Sequence, residues 1–306
     1  MQTFLYRRVT LTVTTVLLLL VVMFTLLRII PGSPAEILAG DFATGKDIEE
    51  LKQAWGLDQP LHVQLLIYLS RVLRGDFGRS VVTRRPVMTE IQGRLRPTLE
   101  LVLMASLVAT VVGLIAGVVS AVRRYSALDG LVMVFAILGV SMPNFWLALL
   151  LMLLFGVTLG WFPIVGVGTP AHLVLPSLSL AAAQAAIIAR QTRSAMLEVL
   201  SQDYVRTARS KGLPERVVIY RHALKNALVP VLTIVGLLFS RLVGGSVVVE
   251  SVFSRPGMGR LLVDSISLRD YPVVQGVVVV IAVAVAVVNL VIDLGYAWID
   301  PRVRYT

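Results

Sequence analysis

Apolar residues fall into six long blocks along the chain, and charged residues crowd the stretches between them. The blocks run Val9–Ile30, Thr98–Val122, Leu131–Phe155, Leu173–Ala189, Leu228–Val249 and Val273–Ile292. A helix needs about 20 residues to cross about 30 Å of hydrocarbon, and each block is close to that length or longer. The pattern predicts an all-α, polytopic membrane protein with six transmembrane helices. Pro143 is expected to kink the third span. Gly113 and Gly117, one helical turn apart in the second, suit a close approach of two helices. The fourth block has the least regular edge, because Pro176 and several small residues interrupt its start.

Arg7 and Arg8 precede the first block, as they would in a secretory leader. Its apolar core is longer than the roughly 7–15 residues of a leader, and no small-residue cleavage site follows. It is read as a retained helix. The chain then divides into a tail and first span (1–30), an extracytoplasmic insert (31–97), and a core with the remaining spans (98–306). In the insert, Pro31-Gly-Ser-Pro34 ends the span. Asp47–Trp55 reads as a short helix stopped by Gly56. Leu61–Leu73 repeats apolar residues at helical spacing, and Gly75–Ser80 is rich in turn formers. The insert is expected to be a small helical cap on the outer ends of the spans.

Composition agrees with the pattern. Of 306 residues, 57% are hydrophobic, above the roughly 45–50% of soluble domains, and the mean hydropathy is +0.83. The formal net charge of +10 lies mostly in loops. Arg7-Arg8, Arg123-Arg124, the 198–226 segment and the Arg302–Arg304 tail share one side of a six-span topology, which marks that side as cytoplasmic. Both termini are expected there. Basic loops beside a membrane explain this charge better than nucleic acid does, because there is no soluble face of arginines and aromatics. The absence of cysteine excludes disulfides, thiol catalysis and cysteine-ligated metals.

No catalytic or metal site is expected. Gly40–Asp47 nearly spells a phosphate-binding loop, but Asp47 stands where a magnesium-binding hydroxyl belongs and no strand precedes it. His62, His172 and His222 lie in loops or at span edges, so an intramembrane hydrolase would lack a base within the bilayer. Ser141 lacks the second glycine of a nucleophile elbow.

The most patterned polar stretch is 203–230. Its charges keep it out of lipid. Tyr204–Lys211 can form a short helix, Gly212-Leu213-Pro214 breaks it, and Glu215–Asn226 can form a second. Gly212 permits a sharp turn without a Cβ clash, and Pro214 stops the first helix. Tyr204-Val-Arg-Thr-Ala208, Lys211-Gly212 and His222-Ala-Leu-Lys-Asn-Ala-Leu-Val-Pro230 resemble the cytoplasmic signature of bacterial ABC importer permeases. Arg206 stands where the general signature has glutamate, His222 where it has isoleucine and Lys225 where it has proline. The dipeptide/oligopeptide/nickel branch shares those departures. Gly56–Pro60, Gly75–Ser80, Glu250–Arg260 and Asp300–Arg304 are similar to that branch as well.

The resemblance implies the membrane-spanning subunit of an importer that works by alternating access. Its partners would be a second permease, two ATPase subunits that hold ATP and Mg²⁺, and an extracytoplasmic solute-binding protein. The substrate would be a di- or oligopeptide, with nickel chelates or glutathione as alternatives. The chain itself would need no cofactor. Tyr204, Arg206, Thr207, Ala208, Arg209, Lys211 and Gly212 would couple to an ATPase, with the three cations offered to acidic groups. Polar residues within spans are candidates for the translocation path, namely Asn144, Gln184, Ser240 and Arg241. The competing reading of these four is hydrogen bonding between helices or to the second permease.

Overall fold

The computed structural model describes residues 2–29, 44–54 and 59–299. Expectations that rest on 31–34, 40–43, 55–58 and 300–306 lie outside the described residues. In chain order the helices are α1 (Gln2–Ile29), α2 (Gly45–Ala54), α3 (Leu61–Leu73), α4 (Val87–Val122), α5 (Ala127–Ser141) and α6 (Asn144–Leu151). They continue with α7 (Ala171–Leu200), α8 (Asp203–Ser210), α9 (Glu215–Val252), α10 (Met258–Ser267) and α11 (Tyr271–Ile299). Five helices are long and apolar enough to cross a membrane, and α5 with α6 supplies a sixth if that bent pair is one span. Among the described residues the only β-pairing is an isolated bridge between Arg79 and Pro86.

The chain forms two compact units, Met1–Pro97 with Pro256–Leu290, and Thr98–Arg255 with Val291–Thr306. In the first unit the core joins Leu20, Met23 and Phe24 of α1 to Tyr68 of α3, Val87 and Ile91 of α4, and Val273 and Val277 of α11. The Phe24 and Tyr68 rings pack 5.8 Å apart in a tilted arrangement, a favourable geometry for aromatic quadrupoles. The turn after α3 is a built structure. Asp76 accepts from the Gly78 amide and from Arg71 Nε, both at 2.9 Å. Phe77 is buried in the core, and Asp270 accepts from the Ser80 hydroxyl and the Val81 amide.

The second unit is organised on α7, which packs against α5, α6 and α9. Lipid tails are as apolar as leucine, so close contact between small residues holds membrane helices together. A Cβ built on Gly113 would sit 2.7 Å from the Ile188 Cβ, and one on Gly117 would sit 2.5 Å from the Thr192 Cβ. No side chain fits at either place. The close approach expected of this glycine pair is therefore made, and it joins α4 to α7.

Three elements differ from the hydrophobic pattern. The third apolar block is broken outright, with α5 and the stretch from Asn144 to Thr158 meeting at 109°. Proline pushes the residue before it out of the helical region, and Met142 is extended at φ −82°, ψ 127°. Helix α4 starts at Val87, inside the segment read as insert, because Val87 and Ile91 are buried while Arg94 and Arg96 mask the apolar signal. The helix expected over Glu215–Asn226 is not separate. It continues through a π-helical stretch, Val218–Ala223, into the fifth span.

Candidate functional site

The polar loop between α7 and α9 folds around one buried contact. Asp203 lies in the first turn of α8, where a negative charge complements the helix dipole. Val205 and Ala208, three residues apart, share a face and bury against Val218, Val199 and Leu200. The opposite face exposes Arg206, Thr207 and Arg209. Ala208 is therefore an anchor of this short helix, and Val205 is a second one that the motif alone did not single out. Its signal was the apolar Val205/Ala208 spacing within a charged octet. Thr207 turns inward on its own helix, donating to the Asp203 carbonyl at 3.0 Å.

Two side-chain links fix the loop to α9. The Tyr204 hydroxyl accepts from Asn226 Nδ2 at 2.7 Å. Arg209 grips Glu215 with both Nε and Nη2, at 3.2 and 2.7 Å. Between them Lys211 caps α8, and Gly212 takes φ +74°, a left-handed conformation that costs other L-residues about 1–2 kcal/mol. Pro214, at φ −63° and ψ 141°, then starts α9. The helix–break–helix expected here is present. Its arginines, however, are already engaged, Arg209 by Glu215 and Arg206 by Asp203 at 3.5 Å.

The span residues separate by environment. Asn144 opens α6, and its Nδ2 lies 3.3 Å from where a Gly245 Cβ would sit, with Leu180 Cδ1 of α7 at 3.0 Å from the same point. Helices α6, α7 and α9 thus converge at Gly245. Arg241 lies one turn before it, exposed, on the stripe that carries Leu237 and Val248. Arg241 has no ion-pair partner among the described residues. Ser240 is half-buried beside it. Gln184, one turn beyond Leu180, is buried, and its Oε1 accepts no hydrogen bond from the described residues.

The family described as the binding-protein-dependent transport system inner membrane component matches residues 109–305, and the N-terminal component of the same system matches 1–102. This chain belongs to that family. It is a permease subunit of an ABC importer in the dipeptide/oligopeptide/nickel group, a multi-pass inner-membrane protein and not an enzyme. It is 48% identical over 291 residues to the glutathione transport system permease protein GsiC of Salmonella typhimurium (strain LT2), covering 95% of both chains. Against the protein of the same name in Escherichia coli (strain K12) the identity is 47% over the same share of both chains. A solved structure described as an amino acid ABC transporter with histidines aligns at a TM-score of 0.51 and 18% identity, over 70% of this chain and 94% of that one. That likeness bears on the fold alone.

The permease holds two further polar networks that its apolar pattern concealed. Asp129, at the start of α5, is buried. It accepts from the Ser120 hydroxyl, the Tyr125 amide and both Nε and Nη2 of Arg193 on α7, the last two at 2.8 Å. The readable part was the cap, since Ser126 Oγ accepts from the Asp129 amide, the Ser-x-x-Asp spacing of a helix start. At the far end of α9, Glu250 is 0% exposed and Arg255 is 1% exposed. Thr98 Oγ1 donates to Glu250 Oε1 at 2.6 Å, and Arg255 Nη2 donates to Glu100 Oε2 at 3.1 Å. Burial lowers the Arg255 guanidinium from its ordinary value, against the opposing pull of Glu100 and Glu250. Such a group remains charged.

Proposed function

We propose that this permease forms half of a translocation pore for short peptides, glutathione among them, delivered by an extracytoplasmic binding protein. The observation that carries the reading is the 47–48% identity to glutathione transport permeases across 95% of both chains. The second half of the pore is a homologous permease. ATP and Mg²⁺ are held by two ATPase subunits, and this chain adds no catalytic group. The turn from α8 through Gly212 to Pro214 serves as the lever. Its buried Val205/Ala208 anchor and its ties to Asn226 and Glu215 make it one body with the base of α9. ATP-driven closure of the ATPases would then move that helix and switch the cavity from one side to the other.

Asn144, Gln184, Ser240 and Arg241 supply the polar lining of the path. Arg241 carries most weight, because an unpaired charge within a span is tolerated only against a partner or water. Both termini lie in the cytoplasm, as the basic loops require. The test is uptake of labelled glutathione and of a labelled dipeptide by cells with and without this gene, with a reporter fused to each terminus. Loss of glutathione uptake on deletion is the expected result. Unchanged uptake of both solutes would overturn the substrate reading, and a terminus reporting from outside would overturn the topology.

A further inference from the structure

From Gly130 to Ala189 the chain holds no Asp, Glu, Lys or Arg, and this run includes a loop, Leu159–Pro170, between α6 and α7. The described loops that join the other spans all carry charge. Leu159–Pro170 is nevertheless a built structure. Its Leu159 and Trp161 amides donate to the carbonyls of Leu154 and Phe155, at 3.0 and 2.9 Å. The Trp161 ring leans on Phe155 with the ring centroids 5.5 Å apart. Ile164 closes over Gly156, where a Cβ would meet its Cγ1 at 2.7 Å. What this folding leaves outside is apolar. Trp161 is 64% exposed and Val165 59%, and Leu159 and Val167 are exposed as well. A cluster of this kind marks a contact with protein or with membrane.

We infer that Leu159–Pro170 lies in the headgroup layer of the membrane and that its partner is phospholipid, with Trp161, Val165 and Val167 dipping toward the acyl chains. The length of α7 decides between lipid and a protein docked above it. Arg190 is the first charged residue of α7 and is exposed, so it belongs at one edge of the hydrocarbon. The Arg193–Asp129 pair follows within a turn. Ala171 precedes Arg190 by nineteen residues, about 28 Å along a helix, against roughly 30 Å of hydrocarbon. The loop therefore starts at the opposite edge, and any tilt of α7 takes it deeper. Irregular backbone is not tolerated against lipid within the hydrocarbon itself, which leaves the headgroup layer. Trp161 suits that level, where indole rings concentrate, and the Thr169–His172 hydrogen bond of 2.8 Å supplies a polar edge. The loop also continues the apolar surface before it, where Leu153, Leu154 and Val157 are exposed. In the proposed topology this is the outer leaflet; the side rests on that topology, and the lipid contact does not. With no charge in the loop, the contact should be indifferent to headgroup charge.

The chain has no cysteine, so a single introduced one can carry a spin label. The importer is assembled in phosphatidylcholine vesicles with its other subunits made cysteine-free. Labels are placed through Val165→Cys, Val167→Cys and, as a reference in water, Leu73→Cys, a residue 80% exposed in the insert. Collisions are measured with oxygen, which concentrates in lipid, and with a water-soluble nickel chelate present on both sides. The expected result at both loop positions is ready collision with oxygen and roughly tenfold less collision with the chelate than at Leu73. Chelate collision equal to that at Leu73 would put the loop in water and overturn the inference. Shielding from both reagents, with or without the binding protein added, would mean that protein covers the loop, and would overturn it too. Adding phosphatidylglycerol should leave the pattern unchanged. Lipid contact that appears only with that lipid would overturn the inference of an uncharged contact. The reporters fused to the termini test the side of the membrane independently.

Discussion

Helix α9 meets charge at both of its ends. At the Glu215 end the Arg209–Glu215 side chains are 42% and 56% exposed. At the Glu250 end both Glu250 and Arg255 are almost wholly buried. Exposed pairs are screened by water and contribute about 0–1 kcal/mol. Buried charges lose hydration, and removing one partner strands the other at a cost of about 3–5 kcal/mol. One end of the helix is therefore fixed by its own chain. The other carries its ion pair at the surface, beside the buried Val205/Ala208/Val218 contact.

The largest effect is expected from Arg255→Leu, which removes the buried guanidinium that donates to Glu100 and opposes the charge of buried Glu250. A destabilisation of about 3–5 kcal/mol should appear as a lower melting temperature of the purified permease pair, or as loss of inserted protein. A melting temperature equal to that of the native protein would remove the contrast between the two ends.

Asp129→Asn comes next. It leaves Arg193, whose side chain is 25% exposed, without its carboxylate. A loss of about 2–3 kcal/mol is expected, read from the same melting curves.

Gly212→Val should strain the turn by about 1–2 kcal/mol with little change in melting temperature, yet uptake should uncouple from ATP hydrolysis. Gly212→Asn, which tolerates left-handed backbone better, should retain more coupled uptake than the valine variant. Equal uptake by the two would argue against the turn as a lever.

The smallest effect is expected from Glu215→Gln. It should cost no more than about 1 kcal/mol and shift the melting temperature scarcely at all. A large shift would show that the exposed end is as fixed as the buried one.

These contrasts mark what a sequence can reveal. Spans are legible because hydrophobic runs report solvent preference residue by residue. The Gly212–Pro214 break is legible because backbone restriction is local. The glycine pair at 113 and 117 is legible as a small surface, though not as one facing Ile188 and Thr192. Partner identity is not local. Arg209 looks like a free cation along the chain, and only the folded loop places Glu215 beside it, whereas Asp203 and Arg206 meet at the i,i+3 spacing of one helix. Asp129 with Arg193 and Glu250 with Thr98 are joined across long separations, and the two carboxylates sit near helix ends that an apolar window trims away. The 109° break at Pro143 shows the same limit, because proline announces a bend but neighbouring helices set its angle.

The π-helical stretch Val218–Ala223 has a consequence for angular phase. It holds one residue more per turn than an α-helix, so it works as a spacer between two stretches of ordinary helix. Each residue advances an α-helix by about 100° around its axis. Deleting one residue from the stretch would restore plain α-helix and leave Glu215 and Arg216 near the same bearing relative to Arg241 and Gly245, because the widened turn already absorbs the extra residue. The stretch thus carries one extra residue without turning the 203–214 segment away from the face that α9 presents at Arg241 and Gly245.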